Sequence, residues 1–415
     1  MRTLLSKAAQ NPQQLIIGLC VFMVVASGAA MQNVASTALA VMFILSLFYV
    51  RDWVVAWQSL EMAEKMVFIG FALYTLTALL SWMNASDTDE FVKQFGRYLR
   101  FTLIIPVYLV MRLKNIDVSR YLLAGVVLSG FVYLGFALNN LYLKPGQPAA
   151  GHYHHITFGD GAMLSVGVMS VMLLMPIKQP VYRFIIGLSL LCALYAAFMS
   201  QARGAWIVLP VYLLVFFGYN MASRQSALLK LLITAAVMAA LVVLTPAGNI
   251  IEKRYTEAVT EVNQFFSGEN IDTSIGHRLA MWSIAYDVWK EHPVIGSGLG
   301  DFDEDMVRYQ RRGEYPEAVV YGSTHNIFVQ AMVGTGVAGF LAMGFGLVIA
   351  PLLLFYRNKA CHKPYATMGM LVIASYIIFG LSESWILRAP VISIYITYVI
   401  ALSSILMNKK PGSLV

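Results

Sequence analysis

The sequence predicts an all-α integral membrane protein. Of its 415 residues 59% are hydrophobic and only 12% charged, with a mean hydropathy of +0.68, whereas soluble proteins carry about a quarter charged residues. The apolar runs are continuous rather than alternating, and lipid accepts only helices or closed barrels. These runs are therefore expected to be transmembrane helices.

Windows of about 19 residues predict about twelve transmembrane helices. The first apolar stretch shows no small-residue cleavage pattern, so we expect a retained helix rather than a signal peptide. The chain then divides into nine helices over residues 1–245, a loop with amphipathic helices over 246–325, and three helices over 326–415. The predicted spans are 15–31, 36–50, 66–83, 98–112, 121–142, 161–176, 184–200, 204–219, 230–245, 326–356, 367–386 and 390–407.

Basic residues in the short loops place both termini in the cytoplasm. The long insert is not included in this count of basic residues, because long loops translocate largely regardless of their charge. The net charge of +7 is the inner excess facing anionic lipid head groups, and it needs no nucleic-acid partner. Of the 22 acidic residues, four lie inside (Asp52, Glu61, Glu64 and Asp117) and eighteen outside. The inner side carries sixteen basic residues (Arg2, Lys7, Arg51, Lys65, Arg112, Lys114, Arg120, Lys178, Arg183, Arg224, Lys230, Arg357, Lys359, Lys363, Lys409 and Lys410), and the outer short loops carry six (Lys93, Arg97, Arg100, Lys144, Arg203 and Arg388).

The insert at 246–325 is expected to form two amphipathic helices at the membrane surface. Apolar residues recur at helical spacing over 249–266, and Leu279, Trp282, Tyr286 and Trp289 share one helical face in the second stretch. These helices either roof a cavity between the spans or form a simple surface cap. The cysteines, Cys20, Cys192 and Cys361, predict neither a disulfide framework nor a thiolate metal site.

Three residues at the outer face are the main catalytic candidates. Arg278, near the start of the second amphipathic helix, suits an anion such as phosphate, or an ordinary salt bridge to Asp287 or Glu291. Arg203 lies between two spans, where a charge is usually functional, although it could snorkel to lipid head groups. His325 precedes a span, after Ser323 or Thr324 as possible cap, and is the natural general base; the alternative is a structural histidine.

Further polar groups on this face have weaker interpretations. Lys93, Arg97 and Arg100 form a stripe that suits phosphates, of ordinary lipid or of a diphosphate substrate. The run at 296–300 resembles a phosphate loop, but no strand precedes it, so we expect a flexible turn. Asp301, Asp303 and Asp305 resemble the aspartates that hold a divalent cation, yet neighbouring arginines favour a solvated charged loop. His152, His154 and His155 could bind a metal, but no carboxylate or cysteine accompanies them locally except Asp160.

Short motifs in this region resemble the core of the bacterial O-antigen ligase superfamily, which also includes O-antigen polymerases and O-oligosaccharyltransferases. The resemblance covers roughly residues 185–345, and the first 180 residues match only as a hydropathy profile. The motifs are Gln201-Ala202-Arg203-Gly204, Arg278-Leu279-Ala280-Met281-Trp282, and Thr324-His325-Asn326 followed by Gly334 and Gly336.

The resemblance implies a GT-C-like glycosyltransferase of the bacterial inner membrane, with a periplasmic active site, acting in lipopolysaccharide biosynthesis. The donor would be a glycan on undecaprenyl diphosphate and the acceptor lipid A–core, with neither metal nor nucleotide cofactor. The resemblance further implies that His325 would be the general base and that Arg203 and Arg278 would hold the diphosphate. Glu383 and Arg388 are substrate-binding candidates by placement alone.

The acceptor and the exact reaction stay open from the sequence. O-antigen polymerases and protein-directed oligosaccharyltransferases share these motifs and differ in the acceptor. A transporter or flippase of lipid-linked sugar would suit twelve spans, but it should show internal repeats and charges near the bilayer midplane. The halves show no convincing repeat, and the notable residues cluster at the outer ends of the spans.

Overall fold

The computed structural model describes residues 12–219, 247–313 and 319–408, and every regular element within these ranges is a helix. The predicted span at 230–245 lies outside them. Short 3₁₀ turns occupy Val50–Asp52, Ser81–Asn84 and Trp385–Leu387. The helices are α1 Pro12–Ser27, α2 Val34–Leu47, α3 Trp53–Ser59, α4 Met62–Leu80, α5 Thr88–Leu113, α6 Ser119–Leu143, α7 His155–Leu173, α8 Pro180–Met199, α9 Arg203–Trp206, α10 Leu209–Tyr219, α11 Ala247–Ser267, α12 Ser274–Glu291, α13 Phe302–Arg311, α14 Ile327–Met343, α15 Ala350–Arg357, α16 Lys363–Gly380 and α17 Ala389–Asn408.

The long apolar helices identify an integral membrane protein. By length and composition, six helices of the described ranges can cross a bilayer, or seven if a bent pair counts as one span. One of the six is the 31-residue run Ile327–Arg357, in which a π-helical turn, Gly344–Ile349, joins α14 to α15. The fuller count of about twelve stays a prediction.

Several predicted spans have different ends or a break. The span at 36–50 is bent by 73° between Val34–Leu47 and Val50–Ser59. The span at 98–112 is the second half of α5, whose polar first half begins at Thr88. The span at 204–219 is split into α9 and α10, and the span at 367–386 already ends at Gly380. Residues 381–388 therefore form a connection outside the helices.

One continuous core joins the helices outside the insert. Helix α1 packs on α6, α6 on α8, and α8 on α7, while α16 lies between α7 and α17. Helix α17 is the most enclosed, with every residue from Pro390 to Leu406 buried. Its serines and Thr397 are buried with the aliphatic residues, so α17 is surrounded by protein rather than by lipid.

The insert contains the two predicted helices, α11 and α12, but α12 packs through a different face from the aromatic one. Its buried residues are Ala280, Met281, Ile284, Ala285 and Val288, which form a small second core with α13 and with Val333 of α14. Small and aliphatic side chains allow close packing there. Of the predicted aromatic face, Tyr286 is 57% exposed, whereas Trp282 is partly buried against this second core.

The sequence Gly296–Gly300 is a buried packing segment, so the expectation of a flexible turn was wrong. A side chain on Gly336 would place its Cβ 2.3 Å from Val294, and Gly336 has φ +64°, a region that L residues rarely adopt. The break in α14 frees two backbone N–H groups, and the carbonyls of Pro293 and Val294 accept from Val337 and Ala338. Glycine is therefore required at 336, where the insert meets the helix.

Candidate functional site

His325 and Glu383 form a hydrogen-bonded pair beside the beginning of α14. The Nδ1 of His325 lies 3.2 Å from Oε2 of Glu383, and Nη2 of Arg388 lies 3.6 Å from Oε1 of the same carboxylate. Glu383 comes from the connection between α16 and α17, 58 positions along the chain from His325. The sequence placed Glu383 and Arg388 on the outer face but showed no sign of this pairing.

A strained and well-bonded loop holds His325 in place. His325 has φ +48°, a left-handed conformation that non-glycine residues adopt rarely and that often marks functional sites. Asn326, rather than Ser323 or Thr324, caps α14, because its Oδ1 accepts from the N–H groups of Phe328 and Val329. The N–H of Asn326 donates to Oγ of Ser384 (3.1 Å), which joins the two loops directly.

The charge on Glu383 bears on the chemistry that His325 can perform. Glu383 is only 3% exposed. Burial raises the pKa of this carboxyl, but the hydrogen bond from His325 and the charge of Arg388 outweigh it and hold the pKa below its ordinary value. An ionised Glu383 accepts a hydrogen bond from Nδ1–H of the His325 imidazole. The Nε2 of His325 is then left as a proton acceptor, the arrangement of a general base.

Arg203 begins α9 directly beside the connection that carries Glu383. Gly204 packs so closely on Ser382 that a Cβ at 204 would lie 2.2 Å from Ser382 Oγ. Gln201 turns the chain with φ +55°, and the side chain of Arg203 is exposed. The structure therefore brings the chain at Arg203, predicted from one motif, beside the connection that carries the partner of His325, predicted from another.

Helix α12 brings Arg278 toward the same loop. Trp282, one turn after Arg278 on the same face, donates its indole N–H to the carbonyl of Thr324 (2.9 Å). The salt bridges expected as an alternative do not form, since Asp287 pairs with Lys290 and Glu291 pairs with Arg308. Helix α12 begins at Ser274, so Arg278 lies just beyond the first turn, where the dipole argument is weaker.

The basic stripe at the start of α5 divides into two parts. Lys93 is exposed and pairs with Glu90 at 2.7 Å. Arg97 and Arg100 are partly buried. Arg97 lies within electrostatic range of Arg388, and Nη1 of Arg100 donates to the hydroxyls of Ser36 and Ser393. Arg97 extends the positive region around Arg388, whereas Lys93 does not.

His154 is a neighbour of the site that the sequence reasoning did not single out for it. It precedes α7 and its ring contacts that of His155, with centroids 4.2 Å apart and a tilt of 55°. Burial lowers the pKa of His154, and the charges of Glu383 and Arg388 also act on it. His155 and His152 instead contact the carbonyls of Ser200 and Ala30. The sequence signal for this neighbour is the run of three histidines, which by itself suggests only a metal motif.

The aspartates at 301–305 belong to α13 and its cap, so the expectation of a solvated loop was wrong. Asp301 accepts from the N–H and hydroxyl of Ser86, and Asp305 accepts from Arg308. Burial raises the pKa of both Asp301 and Asp305 above the ordinary value. Across residues 12–219, 247–313 and 319–408, no group of three or more His, Cys, Asp or Glu side chains is arranged to hold a metal ion.

Comparisons with known proteins agree with the motifs. Residues 188–344 match the family model described as O-Antigen ligase. An uncharacterized protein of Haemophilus influenzae is 26% identical over 344 residues, covering 79% of this chain and 83% of that protein. An O-antigen ligase of Escherichia coli is 24% identical over 268 residues, covering 61% of each chain. The matched region begins in α8 and ends just after α14, and it contains Arg203, Arg278 and His325.

Proposed function

We infer, from the membership of this multi-pass membrane protein in the O-antigen ligase family, that it is a glycosyltransferase of the ligase type. We propose that it transfers a glycan from undecaprenyl diphosphate to the lipid A–core oligosaccharide. The reaction takes place at the periplasmic face of the inner membrane, and both termini are cytoplasmic. The observation that carries the proposal is the buried Glu383 carboxylate bonded to His325, with Arg388 beside it.

His325 acts as the general base in this proposal. Its Nε2 takes the proton from the acceptor hydroxyl while Nδ1–H donates to Glu383, so the imidazolium that forms lies next to a negative charge. Such a base contributes typically 10²–10⁴-fold to a rate. The ordered loop from Thr324 to Asn326 supports the imidazole in one orientation through its bonds to Ser384 and Trp282.

The arginines act on the leaving group. As the acceptor oxygen bonds to the anomeric carbon, the bond from that carbon to the diphosphate breaks, and undecaprenyl diphosphate leaves with the electron pair. Arg203 and Arg278 hold the diphosphate, because a planar guanidinium matches phosphate oxygens and stabilises the charge that develops there. Arg388, Arg97 and Arg100 extend this positive region, and Lys93, paired with Glu90, is the weakest candidate.

The energy of the transfer comes from the donor bond itself. The proposed reaction needs neither nucleotide nor metal, since the arginines take the place of a cation at the diphosphate. One displacement by the activated hydroxyl inverts the configuration of the anomeric carbon.

Reconstitution tests the proposal. Purified wild type and His325→Ala are each incubated with polyprenyl-diphosphate-linked glycan and lipid A–core, and the product is resolved on a gel. His292→Ala, at the end of α12 and outside the pair, is the matched control. A glycan–lipid A–core product formed by wild type and the control, but not by His325→Ala, supports the ligase and its base together.

The other outcomes identify the alternatives. Glycan chains that lengthen without acceptor would indicate a polymerase, and transfer to a protein hydroxyl would indicate an oligosaccharyltransferase. Movement of lipid-linked sugar across liposomes without transfer would indicate a transporter. Full activity of His325→Ala would contradict the assignment of the base even if the ligase reaction itself is found.

A further inference from the structure

A large groove lies between α6 and α8 at the membrane face opposite the candidate site. Its volume is about 710 Å³, within the usual range of about 300–1,000 Å³ for small-molecule sites. The basic end lies where α6 and α8 begin. Helix α8 runs from this end to Met199, beside Arg203, and its 20 residues span about 30 Å, the thickness of the hydrocarbon core.

The lining of the groove is divided between a polar end and an apolar body. Arg120 and Lys178 stand at the polar end, together with Gln179 and Ser119. Aliphatic and aromatic side chains such as Leu123 and Phe131 line the rest. Two cations at the head-group level above an apolar groove match one class of molecule, a lipid with an anionic head group.

Both cations are available to a ligand. Arg120 and Lys178 are exposed, and neither forms an ion pair with the residues that the structure describes, whereas Arg112 nearby in sequence is committed to Glu64. The groove is concave, so an acyl chain in it contacts protein on more than one side. A flat helix face would offer a chain only one side.

We propose that this groove binds one anionic phospholipid, with its phosphate at Arg120 and Lys178 and one acyl chain along the apolar body. The occupant differs from the glycosyl donor, because its phosphate lies at the membrane surface opposite His325. The inference is independent of the proposed reaction.

Native mass spectrometry tests the lipid site. The full-length protein in detergent is incubated with equal amounts of phosphatidylglycerol and phosphatidylcholine, and retained lipid is counted. We expect the wild-type protein to retain one molecule of phosphatidylglycerol in preference to phosphatidylcholine. The double variant Arg120→Gln with Lys178→Gln should lower this preference roughly 25-fold, because each basic residue contributes a factor of about five.

A matched double variant separates the groove from general attraction. Arg51→Gln with Lys359→Gln removes two exposed charges at the same membrane face, outside the groove. It should keep the preference of wild type. An equal loss in both double variants, or no loss in the groove variant, would overturn the proposal.

A third variant locates the acyl chain. Ala124 is exposed and lines the groove, so Ala124→Trp should fill it and lower the retention of both lipids while the melting temperature stays within a few degrees. Undiminished retention by a folded Ala124→Trp protein would show that the lipid binds elsewhere.

Discussion

Replacing Glu383 by glutamine tests the central feature of the site, the carboxylate behind the proposed base. The amide keeps the size of the side chain but removes the charge that faces His325 at 3.2 Å. During proton transfer the imidazole becomes positive, and only the carboxylate can stabilise that charge. The substitution removes less stabilisation from the ground state, because a neutral imidazole can also donate a hydrogen bond to the amide oxygen of the glutamine.

The expected loss of rate follows from the hydrogen bond between His325 and Glu383, whose acceptor is a charged group. A hydrogen bond to a charged group contributes about 1.5–3 kcal/mol, and each 1.36 kcal/mol is tenfold in rate. Glu383 is 3% exposed, so solvent cannot replace the lost charge. We expect the transfer rate of Glu383→Gln to fall about 10- to 150-fold, with little change in KM for the donor.

The assay is single-turnover transfer by the reconstituted protein at saturating donor, followed by the appearance of product. Glu269→Gln, an exposed carboxylate in the insert, is the matched control and should transfer at the wild-type rate. Thermal unfolding confirms that the variants are folded. A folded Glu383→Gln protein within threefold of wild type would refute the role of this carboxylate.

Four further predictions address the fold and the site. Gly336→Ala should lower the unfolding free energy by about 1–3 kcal/mol or more, since φ is +64° there. The control Gly135→Ala, at a glycine with open space around it, should raise the unfolding free energy by up to about 1 kcal/mol. Equal melting temperatures of the two variants would contradict this prediction. Arg278→Lys should lower transfer about tenfold or more, because lysine lacks the planar fork, and full activity would reduce Arg278 to a simple charge. The pKa of Glu383 is lowered by folding, so the contribution of its carboxylate to stability is present above pH 4.5 and is lost as the pH falls through the folded pKa. The difference in melting temperature between wild type and Glu383→Gln should therefore shrink as the pH falls below 4.5. A constant difference would argue against this contribution. Chelators should leave transfer by the purified protein unchanged, whereas inhibition reversed by a divalent cation would restore the metal interpretation of residues 301–305.

The sequence predicted the helices well because lipid imposes a simple rule on the backbone. Continuous apolar runs must be helical in a bilayer, and the insert revealed its helices by their spacing. Helix ends were less accurate. Hydropathy extended the penultimate predicted span to 386, but α16 ends at Gly380, because Glu383 and the polar residues around it bond to the loop before α14.

Local patterns also misjudged residues whose environment comes from distant parts of the chain. The glycines at 296–300 looked flexible, yet Ser297 bonds to the carbonyl of Val333 and the segment is buried. The aspartates at 301 and 305 looked solvated, yet Ser86 and Arg308 bond to them. Arg308 is a neighbour of Asp305 in the sequence, but Ser86 lies 215 positions from Asp301, and Val333 lies 36 positions from Ser297.

The sequence by itself determined the membrane class of this protein and its candidate residues Arg203, Arg278 and His325, since apolar length and short motifs are local properties. Only the tertiary structure decided which of the polar residues act together. The pairing of His325 with Glu383 depends on the packing of α16 and α17 beside α14, and the approach of Arg203 depends on the absence of a side chain at Gly204. Such contacts join residues far apart in the chain, and only the packed helices bring them within bonding distance.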